Sequence, residues 1–228
     1  MFTLYIANKN YSSWSLRPWL VLKAFNIPFE EKIIPFHDHK AWDEYKQIAP
    51  NQKVPCLKDE QILVWDSLAI VEYLAESYPH SNLWPQNKEA RAWARSASAQ
   101  MHSGFQSLRN ICGMNCGVRV KLNEITPALQ SDLNQIDDLW LQGLRKFQGP
   151  FLAGKHFSAV DAFFAPVVFR IQTYNLAVSD EAKQYVNLML SLPEMKDWYH
   201  SALAEKWRDD PHEKDVLSVG QITLDHRS

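Results

Sequence analysis

Lys53-Val-Pro-Cys-Leu57, followed closely by Ile62-Leu-Val-Trp65 and Asp66-Ser-Leu-Ala-Ile-Val-Glu-Tyr-Leu74, decides the fold. Val54 to Lys58 and Ile62 to Trp65 are rich in strand formers and flank Asp59-Glu-Gln61, which reads as a hairpin. Ser67 to Ser77 then carries Leu68, Ile70, Val71 and Leu74 at helical spacing and stops at Tyr78-Pro79. Upstream, Phe2 to Ala7 alternates as a strand does, and Asn8 to Tyr11 is a polar loop. Ser15 to Phe25 places Leu16, Trp19, Leu20 and Ala24 on one helical face and ends before Asn26-Ile-Pro28. Phe29 to Pro35 is a second strand and Ala41 to Ile48 a short helix. The order βαβ, then αββα, is that of a thioredoxin-like domain over residues 1–78.

Residues 79–87 hold two prolines and no periodicity, which marks a linker. Residues 88–228 read as an all-helical domain. Lys88 to about Ile111 and Ala128 to Phe147 repeat apolar residues at intervals of three and four, as the long helices of a bundle do. Ser158 with Asp161 three positions on forms a capping-box start, and Pro193 opens a final helix. The tail from Asp209 onward is polar and is expected to pack irregularly. The expected class is thus α/β plus all-α, an N-terminal thioredoxin-like domain followed by a helical bundle.

A chain of 228 residues can bury its own core without disulfide or metal support. The net charge of -2, with no long Lys/Arg run, offers nothing to nucleic acid or an anionic membrane. No apolar stretch is long enough to span a bilayer, and Met1 to Ala7 lacks the features of a signal peptide, so a cytoplasmic location is expected. Three cysteines, Cys56, Cys112 and Cys116, cannot all pair within the chain. Cys112 and Cys116 are spaced to share a helix face, but no second Cys/His pair accompanies them, and no metal site is expected.

The chemistry concentrates in Asn10-Tyr-Ser-Ser-Trp-Ser-Leu-Arg-Pro18. Pro18 is tolerated in a first helical turn, which puts Ser12 and Ser13 in the loop before a helix start around Ser15. Free N–H groups and partial positive charge there favour an anion. A hydroxyl in that place can hold a thiolate sulfur and lower its pKa, or can simply cap the helix. Tyr11 is a rival donor, and Ser13 the nearest neighbour of Ser12. No Cys-x-x-Cys occurs at this helix start, so the thiol must come from a ligand.

Pro55 either opens an edge strand in the trans form or, if cis, turns the Val54 backbone outward to pair with an extended peptide. Asp66 and Ser67 sit where a strand ends and a helix begins. One of them suffices as N-cap; together they suit a ligand amino group and carboxylate, with Lys53 near a second carboxylate. His102 lies on the first bundle helix, where it contacts a substrate or faces a neighbour or solvent.

These elements, in this order and spacing, resemble the cytosolic glutathione transferase family over nearly the whole chain. The loop Ser12-Ser-Trp-Ser-Leu-Arg17 is most similar to the serine-type loop of the zeta class, and the chain resembles a bacterial member of that kind. The resemblance implies glutathione as co-substrate without a metal, and a small electrophile as the second substrate. It places Ser12 as the activating serine with Ser13 beside it, Val54 as the backbone-pairing position next to Lys53 and Pro55, and Asp66 with Ser67 at the γ-glutamyl end. It also implies a homodimer and a detoxifying conjugation reaction. The departure is Trp14, where zeta enzymes carry a cysteine associated with maleylacetoacetate isomerisation. Three functions therefore stand: thiol transfer to an electrophile, glutathione-dependent cis-trans isomerisation, and a non-enzymatic binding protein with the same fold.

Overall fold

The computed structural model describes residues 1–227. Strand β1 (Phe2–Ile6) runs parallel to β2 (Phe29–Ile33) and antiparallel to β3 (Cys56–Asp59), which pairs antiparallel with the edge strand β4 (Ile62–Trp65). The sheet order is β2-β1-β3-β4. Because side chains alternate along a strand, Phe2, Leu4 and Ile6 face the core beneath helices α1 (Ser13–Ala24) and α3 (Ser67–Ser77). Tyr5 and Cys56 face the other way, onto Tyr45 of helix α2 (His39–Lys46). The thioredoxin-like arrangement read from the sequence is thus present, with α2 starting earlier because Asp38 accepts the Ala41 N–H at 3.0 Å.

Helix α1 also starts earlier than its apolar periodicity suggested, with Ser12 as N-cap and Ser13 already helical. Pro18 therefore lies past the first turn, where it leaves the Trp14 carbonyl without its helical donor. Helix α4 (Lys88–Ser103) stops short of the expected Ile111. Gly104 is extended, Phe105 takes a left-handed conformation, and α5 (Gln106–Ile111) resumes. The Arg109 guanidinium donates to the carbonyls of Met101, His102 and Gly104, so the break is capped rather than frayed. Apolar spacing of three and four continues through it, which hid it from sequence reading.

Helices α6 (Pro127–Lys146), α7 (Ala159–Tyr174), α8 (Asp180–Ser191) and α9 (Pro193–Ala204) complete the bundle around α7, almost every residue of which is buried. The expectation of a purely helical second domain with an irregular tail is corrected at two places. Val118–Leu122 forms strand β5, and the tail folds as α10 (Asp210–Val219) and β6 (Gly220–Asp225), which pairs antiparallel with β5. Val118 and Val120 are buried while Arg119 and Lys121 are not, a period of two over too few residues to stand out. Cys112 and Cys116 lie between α5 and β5, so they share no helix face. Helix α1 packs on α7 as well as on its own sheet, giving both halves one continuous core.

Candidate active site between the two domains

The sheet register gathers the candidate residues at one end. Tyr5 is opposite Cys56, and Cys56 opposite Trp65, so the next positions outward bring together the loop after β1, Val54-Pro55 and Asp66-Ser67. The Val54–Pro55 peptide is cis.

The loop from Asn8 to Ser12 is fixed by the helical domain. Glu205, just past α9, accepts the Lys9 N–H at 2.6 Å and the Asn10 N–H at 3.3 Å. Trp198 Nε1 donates to the Lys9 carbonyl at 2.9 Å, and the Cys116 and Gly117 N–H groups bond the Asn10 carbonyl and side chain at 3.1 and 2.9 Å. Burial raises the Glu205 carboxyl pKa, and the two loop N–H groups work against that rise. These partners are distant in sequence from the loop and carry no local signal, so Glu205 could not be found from periodicity. Replacing Glu205 with Ala would strand two buried N–H groups, and we expect Glu205→Ala to lose about 2–4 kcal/mol of stability by urea denaturation. Glu205→Gln, which keeps one acceptor, should lose less.

Ser12 caps α1 by position only: among the described residues its side chain accepts no helix N–H. Its Oγ lies 2.7 Å from the Oγ of Ser15. Ser13 lines a cleft cavity of about 400 Å³, together with Tyr11, Trp14, His102, Arg109, Arg170 and His212 of α10. Ser12 and Ser13 are both buried, and Ser12 is not among the residues on the cavity wall. The rival Tyr11 is already engaged. Its hydroxyl donates to Glu213 at 2.6 Å, and burial together with that carboxylate pushes its pKa up to about 12. The chain's own thiols are all buried, and burial pushes Cys56 up to about 11 and Cys112 up to about 12.

Two guanidinium groups meet the Trp14 ring, Arg17 at 4.2 Å and Arg109 at 4.7 Å from its centroid. Arg17 is 1% exposed, and its Nε and Nη1 have no hydrogen-bond partner among the described residues. Burial, reinforced by the charges of Arg109 and Arg170, lowers the Arg17 pKa, with Asp66 opposing. The cavity therefore has a cationic side.

At the far end Asp66 does two things. Its Oδ1 accepts the Leu68 N–H at 2.8 Å, capping α3, and its Oδ2 lies 3.2 Å from His102 Nε2. His102 thus faces a neighbour, its ring also meeting the edge of Trp14. Burial lowers its pKa despite Asp66. Ser67 is buried, and its hydroxyl has no partner among the described residues. A buried hydroxyl without a partner is costly in isolation and is what a ligand carboxylate would satisfy. Lys53 is exposed, and its carbonyl accepts the Tyr45 hydroxyl at 2.7 Å.

The sequence matches the glutathione S-transferase N-terminal domain over residues 11–77 and the glutathione S-transferase C-terminal domain over residues 121–201. The chain belongs to the glutathione S-transferase family. Maleylacetoacetate isomerase of Rattus norvegicus is 28% identical over 182 residues, covering 77% of this chain and 81% of the relative. Glutathione S-transferase 1 of Dianthus caryophyllus is 28% identical over 171 residues, covering 72% of this chain and 75% of the relative. A glutathione transferase homologue from Burkholderia, solved with bound glutathione, shares the fold with a TM-score of 0.65 and 22% identity, over 88% of this chain and 97% of that one.

Proposed function

We propose that this protein is a glutathione transferase in which Ser12 holds the glutathione thiolate at the start of α1 for attack on a small electrophile. The observation that carries this reading is a cap-position hydroxyl that bonds no helix N–H, on the same sheet end as Val54 and the unpartnered Ser67 hydroxyl. Residues 1–78 would bind glutathione, with Val54 pairing its backbone, Pro55 shaping that turn and Lys53 near the glycyl carboxylate. Asp66 and Ser67 would take the γ-glutamyl amine and carboxylate, and Ser13 would border the sulfur. Residues 79–87 serve as linker, and residues 88–228 supply the electrophile wall. Ser12 keeps its own proton. Catalysis comes from raising the thiolate population and aligning it with the electrophile. Calorimetric titration with glutathione tests the reading: saturable binding at millimolar concentration or below is expected, and absence of binding would leave the non-enzymatic alternative.

A second reading, glutathione-dependent cis-trans isomerisation, is favoured by the cationic side of the cavity, which suits an electrophile bearing carboxylates. Trp14 in place of a cysteine weighs against it. Turnover of maleylacetone with glutathione returned unchanged separates the two reactions.

We also propose a cytoplasmic homodimer with a detoxifying role. Among the described residues, no helix is long and apolar enough to cross a membrane. The edge strand β4 exposes Ile62 and Trp65, beside a groove of about 750 Å³ that includes Val64, Tyr73 and Arg95. A mass of two chains by light scattering is the expected result.

A further inference from the structure

Ser15 is fully buried on the first turn of α1, and its hydroxyl has two neighbours. It accepts the N–H of Ala7 at 3.2 Å, where the chain leaves β1, and it lies 2.7 Å from Ser12 Oγ. A serine hydroxyl has one proton to give and two lone pairs to offer. With the Ala7 N–H on one lone pair, the Ser15 hydroxyl is anchored, and its proton can be directed at Ser12 Oγ.

We infer that Ser15 is a positioning residue for thiol activation, donating to Ser12 Oγ so that the Ser12 proton is turned outward to the sulfur. The inference rests on Ser12 as the thiolate donor. Two directions are open to a bond between two hydroxyls. If Ser12 donates to Ser15, its only proton is spent inside the protein and the sulfur receives none. If Ser15 donates to Ser12, the order is Ala7 N–H to Ser15, Ser15 O–H to Ser12, Ser12 O–H to sulfur, and each oxygen both accepts and donates. Such a chain polarises cooperatively, making the last O–H a stronger donor than an isolated serine. A negative sulfur before the helix start orients both O–H dipoles the same way. No proton leaves either serine.

The arrangement also explains why Ser12 occupies an N-cap without acting as one. A residue three positions after the cap often reaches back to the cap backbone. Ser15 instead reaches the cap side chain, and the cap hydroxyl takes no helix N–H.

The test is a pH titration of the ultraviolet absorbance of bound glutathione thiolate, with affinity measured by calorimetry, on Ser12→Ala, Ser15→Ala, Ser15→Cys and Ser15→Thr. Ser15→Ala should raise the bound thiol pKa by about one unit, a roughly tenfold smaller thiolate-to-thiol ratio at a given pH below it. Glutathione affinity at low pH, where the thiol is protonated in every variant, should be retained. Ser15→Cys, of similar size but a weak donor, should behave as Ser15→Ala does; if Ser15→Ala fails to fold, Ser15→Cys carries the test. Ser15→Thr, which keeps the hydroxyl, should restore the wild-type profile. A purely structural Ser15 would lower the melting temperature and leave the bound pKa in place, which would overturn the inference. A raised pKa in Ser12→Ala with none in Ser15→Ala or Ser15→Cys refutes the role of Ser15 alone. An unmoved pKa in Ser12→Ala refutes the Ser12 reading and this one with it.

Discussion

Ser12→Ala is expected to raise the pKa of bound glutathione by about one to two units and, through the smaller thiolate fraction, to lower kcat/KM for the electrophile at saturating glutathione by about 3–25-fold near neutral pH. One charge-assisted hydrogen bond contributes about 1.5–3 kcal/mol, and each pKa unit is about 1.4 kcal/mol. A free thiol titrates near about 8.5, so the field of α1 together with the hydroxyl would have to lower it by about two units for thiolate to predominate at neutral pH. The helix field survives the substitution; the hydroxyl does not. The loss should therefore shrink as pH rises past the free thiol pKa, where thiolate forms without help. Binding supplies an independent sign. A bound pKa below the free one means that affinity rises with pH between those two values, and the rise should be shallower in Ser12→Ala. Tyr11→Phe should leave the bound pKa in place, because the Tyr11 proton is committed to Glu213. If Ser13→Ala moves the pKa and Ser12→Ala does not, the activating serine is the one on the cavity wall.

The parts of this protein that were legible in the sequence are those whose causes lie within a few residues. Leu4 and Ile6 alternate with Tyr5 because a strand's two faces meet different neighbours, and Leu68, Ile70, Val71 and Leu74 bury one face of α3. Asp66 was readable both as a cap and as a ligand group, and its two oxygens contact a cap N–H and His102. What escaped was set by partners far along the chain. β5 and β6 pair across nearly the whole helical domain, and the loop before Ser12 is held by Glu205 and Trp198. The cationic side of the cleft is of this kind too, since Arg17, Arg109 and Arg170 converge from α1, α5 and α7. Ser15 is the instructive exception. It lay inside the stretch that named the chemistry, yet only the approach of the Ala7 N–H gives its hydroxyl a direction.

Asp161→Ala should destabilise the protein by about 3–5 kcal/mol while leaving the bound thiol pKa unmoved. Asp161 is fully buried at the start of α7. Its Oδ1 accepts the Leu152 N–H at 3.0 Å and the Tyr185 hydroxyl at 3.1 Å; its Oδ2 accepts the Ser158 N–H at 2.9 Å and the Ser158 hydroxyl at 3.2 Å. The hydroxyls can rotate elsewhere, but the two backbone N–H groups cannot, and each stranded one costs about 1–3 kcal/mol in addition to the lost cap. Asp161→Asn keeps an acceptor and should lose about half as much. Burial pushes the Asp161 carboxyl up to about 6, its hydrogen bonds pulling the other way. A folded-state pKa above the unfolded value of about 3.9 means that the folded protein holds the proton more tightly. That contribution is fully present below about pH 4 and is lost as pH rises through about 6. The stability gap between wild type and Asp161→Asn should therefore widen by about 1 kcal/mol between pH 7.5 and pH 5, read from urea denaturation at each pH. A gap that narrows on acidification would mean that the four donors outweigh burial and that the carboxyl titrates below its ordinary value. Because α7 carries no proposed thiolate donor and the hydrogen bonds of Asp161 go to Leu152, Ser158 and Tyr185 and not to α1, the damage should appear in stability and not in the thiol titration.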